Sequence, residues 1–335
     1  MRAAYLLFLE TKLNYSGIMT AESKTHTIAF YNTENLFDIF DDPFTNDNDF
    51  LPNSVKSWGQ KKYDKKIYKL SEVLSQIGGI SNSNPPSIIG LAEVENKAVL
   101  EDLIHSDKLV DFNYDYVHFN SPDERGIDVA FLYRKSCFEL DSFEPYSIVF
   151  EEGEFNLDYT RDVLLVSGYL EGELIYFIVN HWPSRREGPE LSNPKRMKAA
   201  ILVLDIINNI KSMTSNPNLI VMGDFNDNPS DDTIMMLRHE AHLENPIEKE
   251  WVYGKGSLSH NFKWNLFDQI LISPSFLDNF SGGFKLVEAD IFNKKFLTQF
   301  KGKFKGQPYR TYVGNRYKGG FSDHFPVFIN VKKML

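Results

Sequence analysis

The sequence predicts an α/β fold in a single domain, in which mixed β-sheets carry helices on their outer faces. Its 335 residues are 42% apolar and 24% charged, an ordinary globular balance in a chain long enough to bury a sizeable core. Helix-like and strand-like segments are interspersed and hairpin signals lie among them, so a purely parallel sheet is not expected. The 27 Phe, 16 Tyr and 4 Trp also favour sheets over helical bundles.

The strand signals begin at residues 27–31, an apolar run that breaks at Asn32. Residues 163–170 and 174–179 flank the turn Glu171-Gly172-Glu173, which is typical of a hairpin. The other predicted strands are short apolar runs bounded by polar or turn residues. They comprise residues 87–91, 114–119, 129–133, 219–222, 267–272 and 326–331.

Helical periodicity appears in two longer stretches. Apolar residues from Ile67 to Ile77 recur at helical spacing, and the glycines at 78 and 79 would end that helix. The same spacing from Met197 to Ile207 predicts a second amphipathic helix, and a short helix is expected near residues 97–104. Residues 38–53 are acidic and contain two prolines, so they are predicted to form a loop.

Residues 1–24 are expected to precede the domain, which we place at residues 25–335. The short apolar run from Ala3 to Leu9 resembles a fragment of a signal peptide, so secretion stays open as an alternative. Glu10 ends that run early and no small-residue cleavage site follows, which favours a cytoplasmic protein with Met19 as a natural start. No apolar run approaches the roughly 20 residues of a transmembrane segment.

Composition and missing motifs exclude several classes of protein. Cys137 is the only cysteine, which excludes a disulfide within the chain and a cysteine-based zinc site. The sequence contains no GxxxxGK[ST], GxGxxG or GxSxG motif, so P-loop hydrolases, dinucleotide-binding proteins and serine hydrolases lack their signatures. The net charge of −10 disfavours a protein that coats nucleic acid nonspecifically. A monomer without a stable protein partner is expected.

One arrangement recurs along the chain: an apolar strand ends, or begins, in acidic, amide or histidine side chains. A single case means little, but six cases indicate strand ends that converge on one site. The residues concerned are Asn32 and Glu34; Glu93 and Glu95; Asn180 and His181; Asp224, Asn226 and Asp227; Asp268; and Asp323 and His324.

The donor types in this pattern indicate the chemistry. Carboxylates such as Glu93, Asp224 and Asp323 are hard oxygen ligands, which suit Mg²⁺ or Mn²⁺ rather than zinc. His181 and His324 are the two histidines of the eight that fall within the pattern. Two histidines beside carboxylates suit acid–base work on a phosphate ester.

Six segments in order resemble the endonuclease/exonuclease/phosphatase superfamily, which includes pancreatic-type deoxyribonuclease, abasic-site endonucleases, inositol-polyphosphate phosphatases and neutral sphingomyelinases. The segments span nearly the whole chain after residue 25, and they are FYNTENLF, GLAEVEN, FIVNHWPS, VMGDFNDNPSD, LFDQILIS and FSDHFPVFI. The resemblance implies a four-layer α/β/β/α sandwich of two mixed sheets, with the site at one edge where strands of both sheets end.

The resemblance also implies roles for the metal-proximal residues. Glu93 matches the principal metal-binding glutamate, Asn32 the asparagine beside the metal, and Asp323 the terminal metal-proximal acid. Asp224 and Asn226 match the pair that orients or deprotonates the attacking water and holds the phosphate.

Both histidines and one arginine have counterparts as well. Asp268 matches the carboxylate that aligns His324, and His324 matches the phosphate-contacting histidine. His181 matches the second histidine of the deoxyribonuclease and sphingomyelinase branches. Arg161 resembles a phosphate-contacting arginine of the deoxyribonuclease branch.

Five further residues carry two interpretations each. Arg185 and Arg186 follow His181 closely and would contact a phosphate, or else form a solvated basic pair. Asp128 is the candidate for the acid that supports the histidine matched by His181, with a strand-edge carboxylate as the alternative. Glu34 and Glu95 would touch the metal, or else lie outside its ligand shell or in solvent.

Residues 291–322 contain eight lysines and arginines but no acid, and aromatic residues interleave with the charges. Basic and aromatic side chains together suit phosphate contacts and base stacking on nucleic acid. The alternative is a solvent-facing excursion whose aromatic residues belong to the core.

These observations predict a Mg²⁺- or Mn²⁺-dependent hydrolase of phosphate esters, with nucleic-acid phosphodiesters as substrate. An inositol-phosphate phosphatase or a sphingomyelinase-type phosphodiesterase is the alternative. A noncatalytic phosphate-binding module is the second alternative, and the intact set of ionisable residues argues against it.

Overall fold

The computed structural model describes residues 24–78, 84–152, 156–277 and 283–334. Residues 1–23, where the predicted N-terminal extension and the signal-peptide alternative fall, lie outside the described residues. The described part of the chain contains seventeen strands and five α-helices.

In chain order, the strands are β1 (Thr25–Leu36), β2 (Ile88–Val94), β3 (Tyr114–His118), β4 (Asp128–Arg134), β5 (Phe138–Tyr146), β6 (Val149–Glu152), β7 (Asn156–Tyr159), β8 (Val163–Leu170), β9 (Glu173–His181), β10 (Asn218–Asp224), β11 (Leu258–His260), β12 (Lys263–Asn265), β13 (Asp268–Ile272), β14 (Phe284–Ile291), β15 (Tyr312–Val313), β16 (Arg316–Tyr317) and β17 (Val327–Lys333). The helices are α1 (Gln60–Leu74), α2 (Lys97–Ile104), α3 (Pro189–Met213), α4 (Asp232–Glu240) and α5 (Glu248–Val252).

Two mixed sheets form the centre of the molecule. The first sheet has the strand order β14-β17-β1-β2-β4-β3, and the second has the order β13-β10-β9-β8-β5. β1 pairs with β2 and β9 pairs with β10 in parallel, whereas the other neighbours in these sheets are antiparallel. The prediction of mixed sheets is confirmed.

Successive residues of β9 show how the layers pack, because side chains alternate between the faces of a strand. Phe177 faces the first sheet, and its ring lies 5.1 Å from the ring of Phe131 on β4. Ile178 faces the other way and belongs to a second apolar cluster with Ala200 and Val203 of α3. Since α1 and α2 bury their apolar faces in the cluster of the first sheet, the layers run α/β/β/α as expected.

The predicted strands lie within or beside observed ones, but boundaries differ. The helix predicted through Ile77 ends at Leu74, and the backbone N–H of Ser75 donates to the carbonyl of Ser71 in the last turn. Ile77 is nevertheless buried. The sequence does not predict β5, because this edge strand is largely exposed and lacks an apolar alternation. Among the described helices, none combines the length and the apolar character needed to span a bilayer.

Candidate active site

At one edge of the sandwich, strand ends from both sheets bring seven polar side chains together. Asp224 lies opposite His181 across the parallel pair β9–β10 and opposite Asp268 across the antiparallel pair β10–β13. The end of β1 lies beside the residues that precede β17, because these two strands are antiparallel. The first sheet and its flanks supply Asn32, Glu93, Asp323 and His324, and the second supplies His181, Asp224 and Asp268.

Bulges in β1 and β2 shape the first half of this site. The register shifts between Asn32 and Leu36 on β1 and between Ala92 and Val94 on β2. Glu93 lies inside the second bulge with φ 62, a left-handed conformation that is costly for a residue with a side chain. Such strain persists where the surroundings fix it and concentrates at functional sites.

The Oδ2 atom of Asp224 is the centre of the cluster. It accepts a hydrogen bond of 3.0 Å from Nδ2 of Asn32 and lies 3.9 Å from Nε2 of His181 and 4.0 Å from Nε2 of His324. The other oxygen accepts the backbone N–H of Asn226 at 3.0 Å. Burial, reinforced by the charge of Asp268, raises the pKa of Asp224 to about 7, so this carboxylate can take up a proton near neutral pH.

His324 and Asp268 form a buried pair. Nδ1 of His324 lies 2.6 Å from Oδ2 of Asp268, and the Asp268 side chain is fully buried. Although burial alone would lower it, the adjacent Asp268 holds the pKa of His324 well above its ordinary value. His324 therefore carries a proton at neutral pH and presents Nε2–H to the cleft.

His181 has the opposite character. Burial, together with the positive charge of Arg161, lowers the pKa of His181 well below its usual value, so the imidazole is neutral. Its Nε2 atom lies 3.9 Å from both Oε1 of Glu93 and Oδ2 of Asp224. Its Nδ1 atom is buried and has no hydrogen-bond partner among the described residues.

A second ionic cluster lies behind Asp323. Arg310 donates to the Asp323 carboxylate, and its Nε lies 3.9 Å from Oε1 of Glu34. Although burial alone would raise it, His324 and Arg310 keep the pKa of Asp323 below its ordinary value. The Glu34 carboxylate accepts the backbone N–H groups of residues 311 and 312, and burial raises its pKa to about 7.

Lys66 of α1 ties this cluster to the sheet. Its Nζ is fully buried and donates to the carbonyl of Glu34 at 3.3 Å, to Oγ1 of Thr311 at 2.7 Å and to the carbonyl of Phe321 at 2.8 Å. Glu34 lies in the β1 bulge, Thr311 immediately precedes β15, and Phe321 lies two residues before Asp323. Lys66 therefore fixes the positions of three loops that border the site.

The donor set near Glu93 fits a hard divalent cation. Oε2 of Glu93 accepts the backbone N–H of Asn35, whereas Oε1 lies 3.9 Å from Nε2 of His181 and 4.0 Å from the Arg125 guanidinium, beyond hydrogen-bond distance of both. Asp323 has one oxygen engaged by Arg310 and so retains one for a cation. The tighter trio of Asp224, Asp268 and His324 fits a cation less well, because Asp268 already binds His324.

The three predicted phosphate-binding arginines differ in their surroundings. Arg161 is buried and contacts Asp123 at 3.1 Å and the carbonyl of Trp182 at 3.0 Å. Arg185 forms ion pairs with Asp227 and Asp231, so its charge is already matched. Arg186 lies with Arg161 along an open cleft of about 250 Å³ that also includes Arg125 and Lys195.

Glu95 and Asp128 make their hydrogen bonds outside the cluster of seven polar side chains. Glu95 accepts the backbone N–H of Asp38 at 2.6 Å, and its burial raises its pKa to about 8. The Asp128 carboxylate accepts hydrogen bonds from Ser121, and its Oδ2 lies 3.5 Å from Nε2 of His118. The structure therefore gives His181 no partner at Asp128, and the strand-edge alternative describes this residue.

Two residues at the site are not predicted from the sequence. Arg125 donates to Oδ1 of Asn35 at 2.6 Å and lies 4.0 Å from Oε1 of Glu93, but it comes from a loop without periodic signal. Lys66 could have been found, because it falls on the apolar stripe of α1 beside Tyr63, Ile67 and Leu70. A lysine on the buried face of a helix indicates a buried partner.

Residues 291–322 divide between both interpretations. Phe292 and Tyr312 are buried, and Phe296, Tyr309 and Tyr317 pack against the core, so most of the aromatic residues are structural. Phe300 and Phe304 are exposed, as are the lysines beside them. Arg310 belongs to the ionic cluster at Asp323 and is not a free surface charge.

Comparison with known proteins agrees with this geometry. Residues 27–333 match the model of the Endonuclease/Exonuclease/phosphatase family, and the chain belongs to this family, whose members are hydrolytic phosphoesterases. A search of curated protein sequences gives no significant match.

Solved structures share the fold at low identity. A family protein from Bacteroides thetaiotaomicron is 17% identical, with a TM-score of 0.57 over 94% of this chain and 100% of that one. A mannosyl-6-phosphatase from Bacteroides thetaiotaomicron VPI-5482 is 17% identical, with a TM-score of 0.56 over 91% and 99%. TDP2 of D. rerio, solved with a single strand DNA product, is 14% identical, with a TM-score of 0.54 over 92% and 98%.

Proposed function

We propose that this protein hydrolyses phosphodiester bonds of nucleic acids with the help of a Mg²⁺ or Mn²⁺ ion bound at Glu93. The observation that carries the proposal is the pairing of a protonated His324 with a neutral His181 on either side of Asp224. A phosphodiester needs a base for water, a cationic donor for the anionic oxygens and a proton donor for the leaving oxygen.

Each requirement has a candidate group. Asp224, with a pKa of about 7, takes the proton of the attacking water, while Asn32 and the Asn226 N–H orient its carboxylate. His324, aligned by Asp268 and cationic, donates Nε2–H to the phosphate and passes this proton to the leaving oxygen as the P–O bond breaks. His181 is neutral, so it lies across the cleft as a hydrogen-bond partner of the phosphate oxygens and not as the proton donor.

The metal would be held by Glu93, with Asn32 and Asp323 beside it. When bound, a divalent cation neutralises charge on the phosphate and lowers the pKa of water. Arg125 and Arg161 support an anionic substrate from the side of His181, since both lie close enough to lower its pKa.

Nucleic acid is preferred to a small phosphate ester because of the residues that surround the site. The lysines at 301, 303 and 305 are exposed and lie on the excursion that leads to Asp323. Phosphate contacts from such lysines are the principal source of affinity for a polyanion.

A substrate panel tests the proposal. The purified full-length protein is assayed with Mg²⁺, Mn²⁺ or EDTA against single-stranded and double-stranded oligonucleotides, abasic duplex, inositol phosphates, sphingomyelin and mannose 6-phosphate. We expect cleavage of an oligonucleotide that EDTA abolishes and that Asp224→Asn removes. If the protein turned over a monoester or sphingomyelin but left the oligonucleotides intact, the nucleic-acid substrate would be wrong and that class of ester would be the substrate.

A further inference from the structure

Two surface excursions beside the candidate active site meet in a pair of exposed aromatic rings. Phe262 and Phe304 stack with ring centroids 5.4 Å apart and planes only 3° from parallel. Their exposures are 60% and 37%, and Phe300 on the same excursion as Phe304 is 67% exposed. Large apolar side chains clustered on a surface indicate an interaction site.

The first excursion is the hairpin β11–β12, and it is anchored directly at His324. Leu258 bridges His324 across the backbone, and Phe325 donates its N–H to the carbonyl of Ser257 at 2.7 Å. Ser257 Oγ also accepts the N–H of Asp268 at 3.2 Å. The base of the hairpin is therefore fixed to both members of the buried pair.

Phe262 lies at the tip of this hairpin in a conformation that suits glycine. His260 pairs with Lys263, so Asn261 and Phe262 form a two-residue turn, with φ values of 49° and 64°. Turns of this kind prefer Asn followed by Gly, because both positions are left-handed. A phenyl group here costs conformational energy and is also exposed, which is the pattern of a residue retained for function.

The second excursion spans residues 298–308. Thr298 bridges Pro308, and Gln299 and Gln307 close it with backbone hydrogen bonds. Lys301, Lys303 and Lys305 are exposed along it, and Nζ of Lys303 lies 4.9 Å from the centre of the Phe304 ring. Residues 298–307 contain no aliphatic side chain and no acid, so the large apolar side chains of this segment are aromatic and its charges are all positive.

We propose that these residues form an aromatic platform, defined as Phe262, Phe300 and Phe304 with Lys263, Lys301, Lys303 and Lys305, on which unpaired bases of a nucleic-acid strand stack. The proposal rests on the nucleic-acid substrate proposed above and names the single-stranded form. Flat rings flanked by lysines suit bases with their phosphates, since stacking tolerates any base and lysines contact the backbone.

The hairpin length sets the distance between platform and cleavage site. Phe262 lies four residues beyond the Leu258–His324 bridge, which places the ring about 10 Å from it at roughly 3.3 Å per strand residue up to the turn. A stacked strand advances about 3.4 Å per base, so this length corresponds to about three bases between the platform and the Leu258–His324 bridge. A dinucleotide would not reach it.

The test measures binding separately from cleavage. Fluorescence anisotropy in EDTA gives the affinity of the full-length protein for labelled single-stranded DNA of two, six and twelve nucleotides. Phe262→Gly removes the ring and suits the turn, so a folding defect is not expected. We expect it to weaken binding of the six-mer and twelve-mer about tenfold and to leave the dinucleotide unchanged.

Four further variants assign the effect. Phe262→Trp should restore binding because it retains a stacking face, and Phe262→Leu should not. Phe143→Ala removes an exposed ring from β5, the strand farthest from β13 in the second sheet, and should change nothing. Replacing Lys301, Lys303 and Lys305 with Ser should reduce the slope of log affinity against log salt by about two, because each phosphate contact on a single strand contributes about 0.7.

The outcomes separate this inference from the proposed function. Length-dependent binding that Phe262→Gly weakens, without any cleavage in Mg²⁺ or Mn²⁺, would leave the platform standing and overturn the nuclease. Cleavage with no effect of Phe262→Gly at any length would overturn the platform alone. If Phe262→Gly lost binding to anionic phospholipid vesicles but kept its DNA binding, the same rings would be assigned to a membrane surface. That result would also overturn the platform.

Discussion

The Nδ1 atom of His324 lies 2.6 Å from Oδ2 of Asp268, although the two residues are separated by 56 positions in the chain. The contact joins the residues that precede β17 in the first sheet to the start of β13 in the second. It fixes the ring of His324 with Nε2 toward Asp224 and makes the imidazole a cation.

Replacing Asp268 with Asn tests this pair. Without the carboxylate charge, the pKa of His324 falls toward its ordinary value, so the protonated form is lost at lower pH. The alkaline limb of the pH–rate profile should move to lower pH, and the maximal rate should fall about 100-fold or more. An unchanged alkaline limb would show that His324 does not act as the cationic donor.

Replacing Glu93 with Gln tests the metal site. Titration calorimetry with Mn²⁺ should show markedly weaker binding, and activity should fall by about two orders of magnitude or more. Glu95→Gln is the matched control, because Glu95 is two residues away and its pKa of about 8 makes the wild-type group a neutral acid at pH 7. Equal Mn²⁺ affinity of Glu93→Gln and wild type would remove Glu93 from the ligand set.

Lys66→Met tests how the loops at the site are held. The methionine fills similar volume but leaves the Glu34 and Phe321 carbonyls without their buried donor. The free energy of unfolding should fall by about 3 kcal/mol, measured by urea titration. Lys61→Met changes an exposed lysine of the same helix and should be nearly neutral. A stability loss shared by both variants would point to helix propensity instead.

His26 gives a pH dependence of stability that is independent of the site. It is buried on β1, with Nδ1 2.8 Å from Oγ of Ser87, and burial lowers its pKa from 6.5 to about 4 despite the nearby Glu171. Between pH 6.5 and about pH 4, the imidazole of His26 binds a proton in the unfolded chain but not in the folded one. Stability from this group is therefore complete above pH 6.5 and is lost as the pH falls toward 4, by up to about 3 kcal/mol.

The measurement compares the free energy of unfolding of wild type and His26→Gln from pH 7.5 to 4. The variant should lose less stability over this range, because glutamine does not titrate. His239→Gln, at a largely exposed histidine, should retain the wild-type slope. Parallel curves for wild type and His26→Gln would contradict the assignment.

The convergence of the strand-end residues could be predicted from the sequence, because the pairing of strands brings their ends together. Asp224, His181 and Asp268 each end or begin an apolar run, and neighbouring strands place such positions side by side. Polar residues at strand ends can be recognised from the sequence alone, so the convergence of these residues could be inferred without knowing the strand order.

Features that depend on tertiary contact could not be inferred in this way. The raised pKa of Asp224 follows from burial and the charge of Asp268, neither of which is a local property. Asp128 looked equivalent to an acid that supports His181, but its carboxylate turns to Ser121 and His118. Arg310 was counted with the surface lysines, whereas its partners Asp323 and Glu34 hold it within the site.

The pairing of β1 with β17 has a consequence for how the protein is made. β1 carries Asn32, and the residues that lead into β17 carry Asp323 and His324, so the cleft joins residues that are far apart in the chain. During translation, every earlier segment leaves the ribosome while the position between β14 and β1 in the first sheet is still vacant. A nascent chain therefore lacks His324 until the residues that follow β14 have been made, and any product that stops before residue 323 lacks two of the seven polar side chains at the site.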